Sequence, residues 1–265
     1  NRSRQRAKVA ASHLDLRERL ASGGPFLFSW MSIPSPELAG QVARLPLDGV
    51  CLDLQHGMIG FADAVRMIAA INAAGRPAIV RSLWNDPAAA GQAFDAGACC
   101  VIAPMVNTRA QAEALVRAAK YPPMGGRSWG GYTALQASGL SPSEYLREAN
   151  RMTMAFAMIE TAEALANLEE IAATPGLDGL FVGPSDLSIT LSRGARIDKL
   201  GAETLAAMTK VAEACRRNGL VAGAFGGSAE VIRTYQGLGF TFIAAAVDVD
   251  LLQWGAAALN KSIAV

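Results

Sequence analysis

Eight short, almost continuously apolar runs alternate with runs of helical period along this chain, and few folds can accommodate that order. The strand-like runs fall at residues 25–33, 49–55, 78–84, 99–106, 153–159, 179–183, 220–225 and 240–247. The helix-like runs between them fall at 36–45, 61–74, 87–96, 108–120, 161–174, 202–218 and 229–238, with a last one at 250–260. Strands this apolar are covered on both faces, as parallel strands flanked by helices are. Eight βα units without a dividing linker predict one closed (β/α)₈ barrel over residues 1–265, not a doubly wound sheet. A helix over 14–20 precedes the barrel, and residues 1–12 read as a basic flexible arm.

The unit from 153 to 188 carries the first chemical signal. Its two strand-like runs are joined by a helix, so they are expected to lie side by side, about 4.8 Å apart. One ends on Glu160 and the other runs through Pro184-Ser185 into Asp186. Two carboxylates at the carboxyl ends of adjacent strands can share a divalent cation. The other reading makes Glu160 a helix cap and Asp186 a turn residue.

In a barrel the strand ends face the active site, which adds Asp53-Leu54-Gln55-His56-Gly57 and Arg81. An imidazole titrates in the neutral range, which makes His56 the natural proton carrier. Arg81 lies within AIVRSLW, where a buried guanidinium needs a carboxylate from the protein or from a substrate. Lys8, Lys120, Lys199, Lys210 and Lys261 fall in the arm, on helices or in loops. None is placed to form a Schiff base at a strand end, so carbonyl chemistry here calls for a metal as Lewis acid. Trp30 and Trp84 read as packing residues. Gly226-Gly227-Ser228 is either an anion-binding turn or a helix cap.

Composition narrows the classes. A net charge of +1 with 18% charged residues gives no electrostatic reason to expect nucleic acid or a membrane surface. No run approaches the ~20 apolar residues of a membrane span. Cys51, Cys99, Cys100 and Cys215 lack metal-ligand spacing and read as reduced core residues of a cytoplasmic protein. Two long connections, 121–151 and 187–201, break the βα rhythm; the first, with two Gly-Gly pairs, reads as a defined loop.

Five ordered motifs, LDLQHG, VRSLWNDP, AKYPPMGGRSWG, MIET and VGPSDLS, make the chain resemble the HpcH/HpaI family of metal-dependent aldolases from about Leu14 to the last helix. The resemblance implies a hexameric barrel whose final helix is exchanged between subunits. It also implies reversible aldol cleavage of 4-hydroxy-2-oxoacids to pyruvate and an aldehyde, with magnesium, manganese or cobalt. Residue by residue, it makes Glu160 and Asp186 the metal ligands and His56 the base, with Asp53 as its possible partner. Arg81 becomes the stabiliser of the enolate, and Ser185 the residue whose amide holds the pyruvate carboxylate. Asp95 matches an aspartate that raises the histidine's basicity; placed at the bottom of its own barrel, it could reach only a histidine of another subunit. Two departures stand out: Leu54-Gln55 replaces a Gly-Glu pair before the histidine, and Met158 replaces a substrate-binding glutamine. A carbon–carbon lyase for acyl-CoA thioesters of the malyl- or citryl-CoA type, and a metabolite-binding barrel without activity, are the competing readings.

Overall fold

The computed structural model describes residues 16–21, 24–84 and 86–263. The arm, the start of the first helix and Asn85 lie outside the described residues. Eight parallel strands close into a barrel in sequence order: β1 (Phe26–Met31), β2 (Gly49–Asp53), β3 (Ala78–Arg81), β4 (Cys100–Ala103), β5 (Met154–Ile159), β6 (Gly179–Val182), β7 (Val221–Phe225) and β8 (Phe242–Val247). Every strand lies inside its predicted run, shortened at the ends where ladder pairing stops.

The helices are α1 (residues 16–21), α2 (Pro36–Val42), α3 (Phe61–Ala73), α4 (Pro87–Asp95), α5 (Arg109–Ala119), α6 (Tyr132–Ser138), α7 (Pro142–Met152), α8 (Ala162–Ala166), α9 (Leu168–Ala172), α10 (Pro184–Leu191), α11 (Ala202–Asn218), α12 (Ala229–Gly237) and α13 (Asp248–Ile263). The loop expected over 121–151 is a pair of helices, α6 and α7. Ser141 caps α7 in a reciprocal box with Glu144, a signal present in the sequence as Ser-Pro-Ser-Glu. The predicted helix over 161–174 breaks at Asn167 into α8 and α9.

Side chains on one face of the strands fill the barrel, and those on the other face pack under the helices. The filling is aromatic: Phe28 stacks on Phe242 at 4.4 Å, and Phe156 lies 4.9 Å from Phe242. Leu16 and Leu20 of α1 join this inner cluster at the end where the strands begin. All four cysteines are buried and free, and burial pushes the Cys215 thiol up to about 12. They are therefore inert thiols.

Helix α13 behaves differently. Asp248 anchors its start, accepting the amides of Ser32 and Ile33 at 3.0 and 2.9 Å. Beyond that anchor Leu252, Trp254, Leu259 and Ile263 are all exposed. Among the described residues no helix is long and apolar enough to cross a membrane.

Candidate active site

At the carboxyl end of the barrel a cavity of about 360 Å³ opens between β1, β2, β3 and β5–β8. Its wall includes Asp53, His56, Arg81, Met158, Ser185 and Asp186. Register explains one side. Asp53 and Arg81 are direct partners across β2 and β3, so the pair forms without long side-chain excursions. Arg81 Nε donates to Asp53 Oδ1 at 2.9 Å and Nη2 to Oδ2 at 2.5 Å, a bidentate fork. Trp30 Nε1 adds a bond to Oδ2 at 3.1 Å, and the guanidinium lies over the Trp30 ring at 4.9 Å. The amides of Gln55 and His56 bond Asp53 Oδ1 at 3.0 and 3.1 Å. Burial opposes the charge on Asp53, but Arg81 and these donors outweigh it and hold the carboxyl below its ordinary range.

Asp53 therefore shapes the LQHG turn through backbone amides, and its carboxylate partner is Arg81, not the His56 imidazole. Gly57 belongs to the same turn, because a Cβ there would collide with the Asp53 carbonyl. The His56 imidazole faces the cavity and, among the described residues, no protein group holds it. Arg81 Nη1 is likewise left over.

The other side is built by β5 and β6. Ile159 pairs with Val182, so the next residues, Glu160 and Gly183, are neighbours. Thr161, and not Glu160, caps α8, its hydroxyl accepting the Ala164 amide at 3.0 Å. Glu160 is 3% exposed, with Oε1 held by the Met105 amide at 2.7 Å. Oε2 points past Gly183, where a Cβ would sit only 2.5 Å from it. Only glycine lets that oxygen approach the cavity wall. Burial pushes the Glu160 carboxyl up to about 7; the Met105 amide opposes this, the Asp186 charge adds to it, and Arg81 opposes it.

Asp186 is exposed and sits in the first turn of α10. Ser185 and Asp186 present backbone amides that no protein acceptor uses among the described residues, as the start of a helix requires. Two oxygen-donor carboxylates, one of them desolvated, suit a hard divalent cation with open positions. Among the described residues no third His, Cys, Asp or Glu joins them, so a cation held there would have positions open to substrate and water.

The two tryptophans fare differently from each other. Trp30 is a wall residue of the cavity as well as a packing residue, since its indole holds Asp53. Trp84 is 60% exposed and packs in no core. Asp95 lies at the end of α4, outside the cavity, and accepts a bond from Arg127 Nη2 at 2.6 Å. Phe181 and Phe225, which close the cavity beneath and beside Trp30, are site residues that apolar runs cannot distinguish from core.

The family model of the HpcH/HpaI aldolase/citrate lyase family matches residues 27–253. The chain belongs to that family. The family's aldolases include a hydroxypyruvate/pyruvate aldolase of Rhizorhabdus wittichii, 40% identical over 87% of this chain and 90% of that protein. A 4-hydroxy-2-oxo-heptane-1,7-dioate aldolase of Klebsiella pneumoniae is 32% identical over 92% of this chain and 91% of that protein. A crystal structure of a family protein from Burkholderia cenocepacia superposes with a TM-score of 0.84 at 29% identity, covering 95% of this chain and 99% of that one. This HpcH/HpaI protein is a carbon–carbon lyase of the aldolase type.

Proposed function

We propose that the chain is a class II aldolase that cleaves or forms 4-hydroxy-2-oxoacids, with pyruvate or a close 2-oxoacid as the nucleophile and an aldehyde as the acceptor. The observation that carries this reading is a desolvated Glu160 against Gly183 of the cavity wall, with Asp186, the Arg81 guanidinium and an untethered imidazole lining the same cavity. A magnesium, manganese or cobalt ion held by Glu160 and Asp186 would supply the Lewis acidity that makes the 2-oxoacid acidic next to its carbonyl.

The remaining steps belong to this chain's own groups. The free amides of Ser185 and Asp186 at the start of α10 hold the substrate carboxylate. Arg81, kept rigid by its fork to Asp53 and its stack on Trp30, offers Nη1 to the oxygen on which charge develops. A preorganised donor of that kind is worth roughly 3–4 kcal/mol. In cleavage, the His56 imidazole takes the proton from the C4 hydroxyl; the C3–C4 bond breaks, the aldehyde leaves, and C3 is then protonated to give the methyl of pyruvate. Addition runs the same steps in reverse. Met158 presents a soft apolar wall in place of an amide donor, which places less of the burden of recognition on β5. The exposed stripe of α13 supports the exchanged helix of a hexamer, and Asp95 would then serve the His56 of another subunit.

A panel of 4-hydroxy-2-oxoacids, assayed for pyruvate release with added divalent metal, tests the reading. Release from at least one member is expected, and chelator should stop it. Cleavage of a malyl-type acyl-CoA thioester with no pyruvate from any panel member would replace the reading.

A further inference from the structure

Lys199 belongs to the mouth of the barrel although its backbone lies in the connection between α10 and α11. Its Nζ sits 5.2 Å from the ring centre of Phe225, and Phe225 is a wall of the cavity. The tip also lies 3.8 Å from where a Cβ on Gly227 would stand, which puts the ammonium beside the turn that follows β7. The backbone is pinned from below: the hydroxyl of Tyr235, a fully buried residue, donates to the Lys199 carbonyl at 2.9 Å. Neighbouring charges are already engaged with each other, Arg196 with Asp198 at 3.9 Å and with Glu203 at 3.8 Å. Among the described residues no carboxylate pairs with Lys199. A half-buried ammonium resting on an aromatic face is partly desolvated, and an ammonium without a counter-ion at the lip of a substrate cavity is available to a ligand's charge.

We infer that Lys199 is a specificity-determining residue that reads an anionic group at the far end of the aldehyde. The inference rests on the aldolase reading of the cavity. The end of the cavity that would hold the 2-oxoacid is already furnished with Arg81, Ser185 and Asp186, on β3 and α10. Phe225 and Lys199 stand on the β7 side, where the acceptor's tail would extend. The aromatic ring packs on the tail's carbon chain, and the ammonium meets its carboxylate, sulfonate or phosphate. Steering and register, more than raw affinity, are what such a rim charge provides.

The test compares wild type, Lys199→Met and Lys199→Arg in aldol addition of pyruvate. The acceptors are two length-matched pairs, glyoxylate with glycolaldehyde and 4-oxobutanoate with pentanal. Lys199→Met should lower kcat/KM about tenfold for the better anionic acceptor, mostly through KM, and less than twofold for its neutral match. Lys199→Arg should recover most of the loss. Added salt should raise KM for the anionic acceptor in wild type but not in Lys199→Met. Equal losses for charged and neutral acceptors, or a loss that ignores salt, would overturn the inference and make Lys199 a support for Phe225. Absence of aldol addition by wild type with every acceptor would overturn the aldolase reading itself, and this inference with it.

Discussion

Beneath the barrel, where the strands begin, Asp178 accepts from Lys120 Nζ and Arg17 Nη2, each at 2.7 Å, and from the Ala155 amide at 2.8 Å. Lys120, 1% exposed, spends its other donors on the carbonyls of Thr153 and Asn150 at 2.6 and 3.2 Å. At the opposite end Asp53 is satisfied as fully, by Arg81, Trp30 and two amides. The two clusters share burial, charge and a carboxylate at the centre. They differ in what is left over. The lower cluster closes on itself and can only tie the ends of β5 and β6 together. The upper one leaves Arg81 Nη1, the His56 imidazole and the amides of Ser185 and Asp186 at one cavity, with an oxygen of Glu160 against Gly183 of its wall. A buried ion pair thus marks a site only when its neighbours carry unused donors and acceptors.

Substitutions at each end should separate stability from activity. Lys120→Met leaves Asp178 and the Thr153 carbonyl with Arg17 as their one remaining cation and takes the ammonium away from the Asn150 carbonyl. Urea denaturation should show a loss of about 3–5 kcal/mol, while the folded fraction keeps kcat within twofold. A large fall in kcat without a stability loss would erase the distinction between the two ends.

Arg81→Ala attacks the upper cluster and should lower kcat by about 10²–10³-fold, the range for removing a preorganised donor. It should also destabilise the fold, because Asp53 is then a buried carboxylate without its cation. Restoring charge but not the fork with Arg81→Lys should recover stability more than rate. If both variants lose rate and stability in parallel, the upper pair is structural like the lower.

The smallest effect concerns pH. Glu160 carries a folded-state pKa of about 7 against an ordinary 4.5. A raised carboxyl favours the protonated folded state, so its contribution to stability is complete below about 4.5 and is lost as pH rises through 7. A divalent cation reverses this by binding only the carboxylate. Metal affinity should therefore fall about tenfold for each pH unit below 7. The gain in Tm on adding magnesium should be larger at pH 8 than at pH 5.5. Glu160→Gln should flatten that dependence, as followed by thermal melting across the pH range.

How much of this was legible in the residues follows the same divide. The barrel was readable because the strands are nearly continuously apolar and most of the helices between them keep their period. That Asp186, His56 and Arg81 line the mouth, with Glu160 beside it, was readable because each is a polar residue at the end of an apolar run. Trp30, Phe181 and Phe225 were not, since an aromatic lining a cavity and one filling a core have the same local sequence. Helices α6 and α7 hid behind their Gly-Gly pairs, although the capping box at Ser141 announced the second. The attachment of Asp53 to Arg81, and not to the His56 ring, depends on strand register, which no local pattern encodes. Lys199 shows the converse: a loop lysine far from any strand end in sequence reaches β7 through a fold-level contact.

A divalent cation held by Glu160 and Asp186 would, with Arg81 and His56, make the methyl of pyruvate exchangeable. Proton NMR of pyruvate in heavy water measures this directly, without knowledge of the aldehyde. With magnesium, the wild-type protein should wash deuterium into the methyl group. Excess chelator, Glu160→Gln and Asp186→Asn should each abolish the exchange, and borohydride should trap no pyruvate–lysine adduct. Undiminished exchange in excess chelator, or a trapped lysine adduct, would contradict the account.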